Sequence, residues 1–141
     1  MSSLISTLFQ LTPRPDLGVL VGRWGYQPDA AELPAVYAQL AEAGLRDRSR
    51  FWLQDIRRRS LNDPGITQWL LTEYYPNLAK QLGGRLYVAY LVGPDLYHRI
   101  ISRPSFAPIA SYQNKPFVLA FFSSEGEAFR WLDEQRAAEA A

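Results

Sequence analysis

The densest run of chemically capable side chains lies in FWLQDIRRRSLNDPGITQWLL, residues 51–71. Asp55 is followed by Arg57, Arg58 and Arg59, and then by Ser60 and Asp63 ahead of Pro64 and Gly65. Guanidinium groups beside the start of a helix near Pro64 would form an anion-binding patch, or one for an acidic partner. Exposed helix-end amides and fork-shaped guanidinium donors both favour negative charge. The alternative is a solvated loop joining a buried strand to a helix. With Arg46, Arg48 and Arg50, six of the 15 basic residues fall between positions 46 and 59. These two clusters bracket one apolar run, however, and a strand there puts them at opposite ends of a sheet, where they cannot act as one surface.

His98 is the only histidine, in GPDLYHRI. Acid–base catalysis would require a partner within hydrogen-bond reach, and Asp55 and Asp95 are the attractive carboxylates. The alternative is a surface histidine near a helix start. Cysteine is absent, which removes disulfides, thiolate zinc sites and thiol nucleophiles. One histidine cannot complete a metal site, so neither metal nor cofactor is expected. Gly83-Gly84 and Gly93-Pro94 read as turns, because the chain contains neither Gly-x-Gly-x-x-Gly nor Gly-Lys-Ser/Thr. No nucleophile and base can be assembled, and a non-enzymatic role is expected.

The aromatic side chains form a second group of candidates. Phe51 and Trp52 are adjacent on one strand and face opposite sides, while Tyr74 and Tyr75 project from a helix. Trp52, Trp69, Tyr74 and Tyr75 either fill the core or line a cavity between helices and sheet. Such a cavity would take an apolar ligand and orient it with a few polar tips.

The totals limit the partners. A length of 141 residues suits one domain, 1–141, that buries about two-thirds of its unfolded surface. The 4 Trp, 8 Tyr and 7 Phe argue against disorder. A net charge of +1 gives no whole-molecule attraction to nucleic acid or anionic membrane, so no nucleic-acid partner is expected. No apolar run approaches the roughly 20 residues of a spanning helix. MSSLISTLFQLTPRP lacks a basic region before its apolar stretch and reads as structure instead of a signal peptide. A cytoplasmic location is the expectation.

Strands are expected at LGVLVGRW (17–24), FWLQDI (51–56), GRLYVAYLV (84–92) and PFVLAFF (116–122). SLISTLFQL (3–11) would add an edge strand, with Pro13 and Pro15 forcing a turn, so that residues 1–16 form an edge strand and turn. A helix places Leu33, Val36, Tyr37 and Leu40 on one face, starting nearer Leu33 than the Asp29/Glu32 capping-box spacing suggests, with Gly44 as its stop. A second helix runs from Pro64 to Leu82 with a kink or restart at Pro76. A third covers Asp95 to Ser102. The last opens on the Ser124/Glu127 capping spacing and turns Ala128, Trp131 and Leu132 inward, with residues 136–141 fraying. Residues 103–116 form the longest irregular segment. Apolar strands alternating with helices point to a mostly parallel, covered sheet.

In this order of elements the chain resembles the STAS domain of sulfate transporters and anti-sigma-factor antagonists. More specifically it resembles the bacterial STAS-like group related to the sporulation anti-sigma-factor antagonist, some of whose members are similar to CRAL-TRIO lipid-transfer domains. The resemblance spans residues 17–135. It is carried by Trp24, FWLQDIR (51–57), WLLTEYYPNLAKQLGGRLYVAYLVGPDLYHRI (69–100) and FVLAFFSSEGEAFRWL (117–132), the last ending in Ala-x-x-Trp-Leu. It implies an α/β, STAS-like fold with a four- to five-stranded mostly parallel sheet and about four helices.

Regulatory STAS proteins carry an Asp-Ser pair and a nearby Gly in the loop after the third strand, and a kinase phosphorylates that serine. Asp63 and Gly65 fall in similar places here, but Pro64 stands between them and cannot be phosphorylated. Ser60 and Thr67 flank the pattern without occupying it. The implied function is a non-enzymatic protein-interaction or regulatory module of unknown partner. Its binding edge would be the loops after Trp24, Asp55, Val92 and Phe122, where open α/β sheets usually bind. The alternative is a carrier or sensor of a small apolar ligand such as a lipid. Exposed apolar helix faces would allow a homodimer, though no heptad demands one.

Overall fold

A computed structural model describes residues 9–25, 28, 29, 31–59, 64–104 and 106–140. The apolar runs become β2 (Val19–Trp24), β3 (Phe51–Asp55), β4 (Leu86–Leu91) and β5 (Phe117–Phe122), parallel neighbours in that order, with β1 (Phe9–Arg14) antiparallel along β2. Every residue of β3 and β4 is buried, as expected for parallel strands covered on both faces. Among the described residues the fold is therefore α/β, a five-stranded mostly parallel sheet with four helices.

The expected first strand continues past Leu11 to Arg14. Pro13 lies inside β1 opposite Leu20 instead of ending it, because an outer strand has a ladder on one side only and tolerates a proline. The chain reverses after Arg14, where Leu17 N–H donates to the Arg14 carbonyl at 3.0 Å and Gly18 takes a φ of 67° open to glycine. Residues 3–8 of that expectation lie outside the described residues.

Helix α1 (Leu33–Asp47) starts where Pro34 fits its first turn and needs no donor. Half of the capping box forms, with the Asp29 N–H donating to Glu32 Oε1 at 2.9 Å. Gly44 does not stop it. The helix runs to Asp47 and ends on Arg48 in the left-handed conformation. Gly44 instead faces Trp52, whose Cζ2 would stand 2.5 Å from an added Cβ.

Helix α2 has three parts, an α-helical Pro64–Trp69, a π-helical Leu70–Tyr74 and an α-helical Tyr75–Leu82. The wide π turn directly precedes Pro76, whose ring would clash with the preceding turn of a regular helix. Both Tyr74 and Tyr75 are buried by this arrangement. Helix α3 (Pro94–Ile101) follows β4. A short 3-10 turn, Ile109–Tyr112, breaks the irregular connection to β5. Helix α4 (Glu125–Ala140) is capped by Ser124 Oγ, which accepts the Glu127 N–H at 3.4 Å. Where fraying is expected from residue 136, α4 continues to Ala140 and Glu139 pairs with Arg50 at 2.5 Å.

Strand alternation sorts the side chains between two layers. Phe51 and Tyr87 stack at 5.2 Å on one face, where Tyr87 meets Trp131 of α4. Trp52, Gln54, Val88 and Tyr90 occupy the other face with α1 and α2. A small separate core of Val92, Leu96 and Ile100 seats α3 beyond the strand ends.

Candidate functional site

The carboxyl ends of β2 and β3 bring Arg23 and Asp55 into register. Asp55 Oδ2 accepts from Arg23 Nη1 and from Arg57 Nη2, both at 2.8 Å, and Oδ1 accepts from the Arg57 N–H and Nε. Arg23 also reaches Glu125 at the start of α4, at 2.8 Å. Burial alone would raise the Asp55 carboxyl, but the Arg57 donors and Arg23 outweigh it and hold the group below its ordinary range. Arg23, Asp55 and Arg57 border an open depression of about 540 Å³. Two of its cations already face carboxylates.

Arg59 does not join Arg57 and Arg58 on the surface. It is 8% exposed, its guanidinium lies 4.3 Å from the Trp24 ring centroid, and Nη1 is 3.4 Å from the Tyr37 hydroxyl. A cation over an indole face is attracted by the ring quadrupole, which offsets part of its desolvation. The expected triple-arginine patch is thus divided: Arg57 is paired, Arg58 exposed and Arg59 buried. Ser60 and Asp63 lie outside the described residues. Arg50, at the other end of β3, pairs with Glu139, in keeping with the separation of the two basic clusters.

Behind Arg59 runs a buried chain of polar groups. Trp24 Nε1 donates to Gln54 Oε1 at 3.1 Å, Gln54 Nε2 donates to the Tyr75 hydroxyl at 3.0 Å, and Tyr75 is hydrogen-bonded to the Tyr90 hydroxyl. Burial raises both phenols above their ordinary range and keeps them protonated.

Tyr75 and Tyr90 form part of the wall of a cavity of about 200 Å³. The sheet side supplies Ile56, Leu119 and Phe121 with Tyr90. Helix α2 adds Leu70 and Leu71, and α3 adds Leu96 and Ile100. The connection after α3 closes the remaining side with Arg103, Phe106, Ala107 and Tyr112, and Arg59 borders the space from the β3 end. A mainly apolar cleft with a few converging polar groups is the usual form of a small-molecule site.

Of the four aromatic candidates, only Tyr75 reaches this cavity. Trp52 is fully buried, donates to the Ser49 carbonyl at 2.9 Å and packs on Gly44. Trp69 packs against Tyr37 and Tyr74, whose hydroxyl donates to the Tyr37 carbonyl at 2.5 Å. These three side chains serve the core. His98 is exposed on α3, edge-on to Tyr97. Tyr90, Gln54 and Arg103 escaped the sequence reading. Gln54 had a signal, a lone amide within the apolar FWLQDI, since a buried amide requires partners.

Among the described residues, no group of three or more His, Asp or Glu side chains is placed to hold a metal, and no helix is long and apolar enough to cross a membrane. No family model matches the chain, and no curated protein matches it in sequence.

Proposed function

We propose that this protein binds a small, mainly apolar molecule in the cavity between β4, β5, α2 and α3, as a non-enzymatic carrier or sensor. The supporting observation is the apolar wall around the Tyr75–Tyr90 hydroxyl pair, which Gln54 and Trp24 hold from behind. The reading is compatible with a STAS-like domain whose relatives include proteins similar to lipid-transfer domains. It also agrees with the place where parallel α/β sheets usually bind ligands. Lack of cysteine is in keeping with a cytoplasmic location.

Native mass spectrometry of the purified protein, set against the mass of the denatured chain, tests this reading and reports monomer or dimer at once. A small added mass is expected, or saturable binding of toluene when the protein is supplied empty. Ala107→Trp, at a half-buried wall position, is expected to abolish either while leaving the fold intact. Absence of both in the wild type would overturn the assignment.

Protein interaction at the same end of the sheet is a second reading, favoured by the Arg23, Asp55, Arg57 and Glu125 cluster and by exposed Arg58. Reversing Arg57 would break the Asp55 pairing, and reversing Arg59 would disturb the core. Arg58→Glu is therefore the clean test, and partner capture unchanged by it would remove Arg58 from this account.

A further inference from the structure

We infer that the cavity's ligand is a small monocarboxylate with an apolar body about the size of a benzene ring, an inference that rests on the ligand-binding reading above. Size gives the first restriction. A dry cavity of about 150 Å³ lined by Leu, Ile and Phe holds benzene, and pockets for drug-sized ligands begin at roughly 300 Å³. The cavity of about 200 Å³ lies between them, with room for one ring or a short branched chain and one small polar group. A long-chain lipid does not fit.

The tyrosine pair offers the polar group a hydrogen-bond donor. Trp24 Nε1–H can only donate, so it fixes the Gln54 amide with its oxygen toward Trp24 and its nitrogen toward Tyr75. Tyr75 and Tyr90 then share two hydroxyl protons, and one of them makes the bond between the rings. The other points away from that bond, whichever tyrosine carries it, and both residues border the cavity. Burial raises both phenols, so the second proton stays in place as a donor.

The acceptor is anionic. Among the described residues that line the cavity, Arg59 and Arg103 are charged and neither Asp nor Glu occurs. Arg59 retains its place over Trp24 and beside Tyr37. Arg103 is exposed and can swing to a bound carboxylate as a fork-shaped donor. A neutral ligand would leave Arg103 without this contact. A cationic one would meet the like charge of Arg103.

Benzoate, benzyl alcohol and benzylamine have nearly the same shape and differ in charge, so titrating each into the protein at pH 7 by calorimetry or NMR separates the possibilities. Benzoate is expected to bind 1:1 at least about tenfold tighter than benzyl alcohol, with benzylamine weakest. Arg103→Gln is expected to reduce the benzoate preference over benzyl alcohol several-fold, and Tyr90→Phe to weaken both while leaving toluene binding unchanged. Arg103→Gln keeps the test open should Tyr90→Phe fail to fold. Benzyl alcohol or benzylamine binding as tightly as benzoate would overturn the acid assignment and leave the ligand-binding reading standing. Binding of none of the three, nor of toluene, would overturn both.

Discussion

Asp55 and Gln54 are adjacent on β3 and face opposite layers, and their side chains satisfy different demands. Asp55 is a carboxylate held by two guanidinium groups, with a folded-state pKa below its ordinary value. A group of this kind contributes stability that is fully present above its unfolded pKa of roughly 4 and is lost as pH falls through the folded value. Because water reaches both Arg23 and Arg57, we expect Asp55→Asn to cost only about 1–2 kcal/mol at pH 7. Urea denaturation from pH 7 to pH 3 should show the gap between wild type and variant closing below about pH 4. A gap independent of pH would show that hydrogen-bond geometry, not charge, sets the cost. Gln54 joins Trp24 to Tyr75 in the dry layer, so Gln54→Leu leaves the indole N–H with no acceptor and removes one donor from Tyr75. The expected loss is about 2–3 kcal/mol by the same denaturation assay, and a change near zero would mean that the chain of polar groups adds little to stability.

The helices show how packing changes the meaning of a residue that sequence patterns treat as punctuation. Gly44 has the composition of a helix stop, yet it lies within α1 because the Trp52 ring occupies the space that a side chain would need. Helix propensity alone would reward Gly44→Ala by roughly 1 kcal/mol, while overpacking costs about 1–3 kcal/mol. A net loss is therefore expected in thermal unfolding, relieved in part by adding Trp52→Phe; stabilisation by Gly44→Ala alone would refute the close-approach account. Pro76 was legible as an interruption, but its accommodation by a π turn was not, since that choice depends on burying Tyr74 and Tyr75 together. Strand positions were the most readable part, because branched and aromatic runs such as LYVAYL have no other way to bury both faces. Pro13 was misread for a related reason: whether a proline ends a strand depends on its place in the sheet, and the outer position of β1 emerges only from the pairing.

The cavity was the least legible feature, since its walls are drawn from residues 56 to 121 and no local spacing unites them. The aromatic count pointed to surplus rings without saying which would fill the core. Trp52, Trp69 and Tyr74 did so because α1 and the π turn pack directly on them, while Tyr75 and Tyr90 were left at the gap beneath α3. The wall of that gap is drawn from β4, β5, α2, α3 and the connection after α3, so its occupant touches all of them at once. A ligand that binds the folded chain alone stabilises it by RT ln(1 + [L]/Kd), about 2.7 kcal/mol at a hundredfold excess over Kd. For a domain of this length, the rise in Tm is on the order of 10 °C. We expect benzoate at that excess to produce such a rise in the wild type and none in Ala107→Trp. Hydrogen exchange should slow across Pro94–Ile101 and Ile109–Tyr112 beyond the global effect, because these short segments gain the most new contact. An equal rise in both proteins would locate binding elsewhere, and a rise with no local protection would detach α3 from the site.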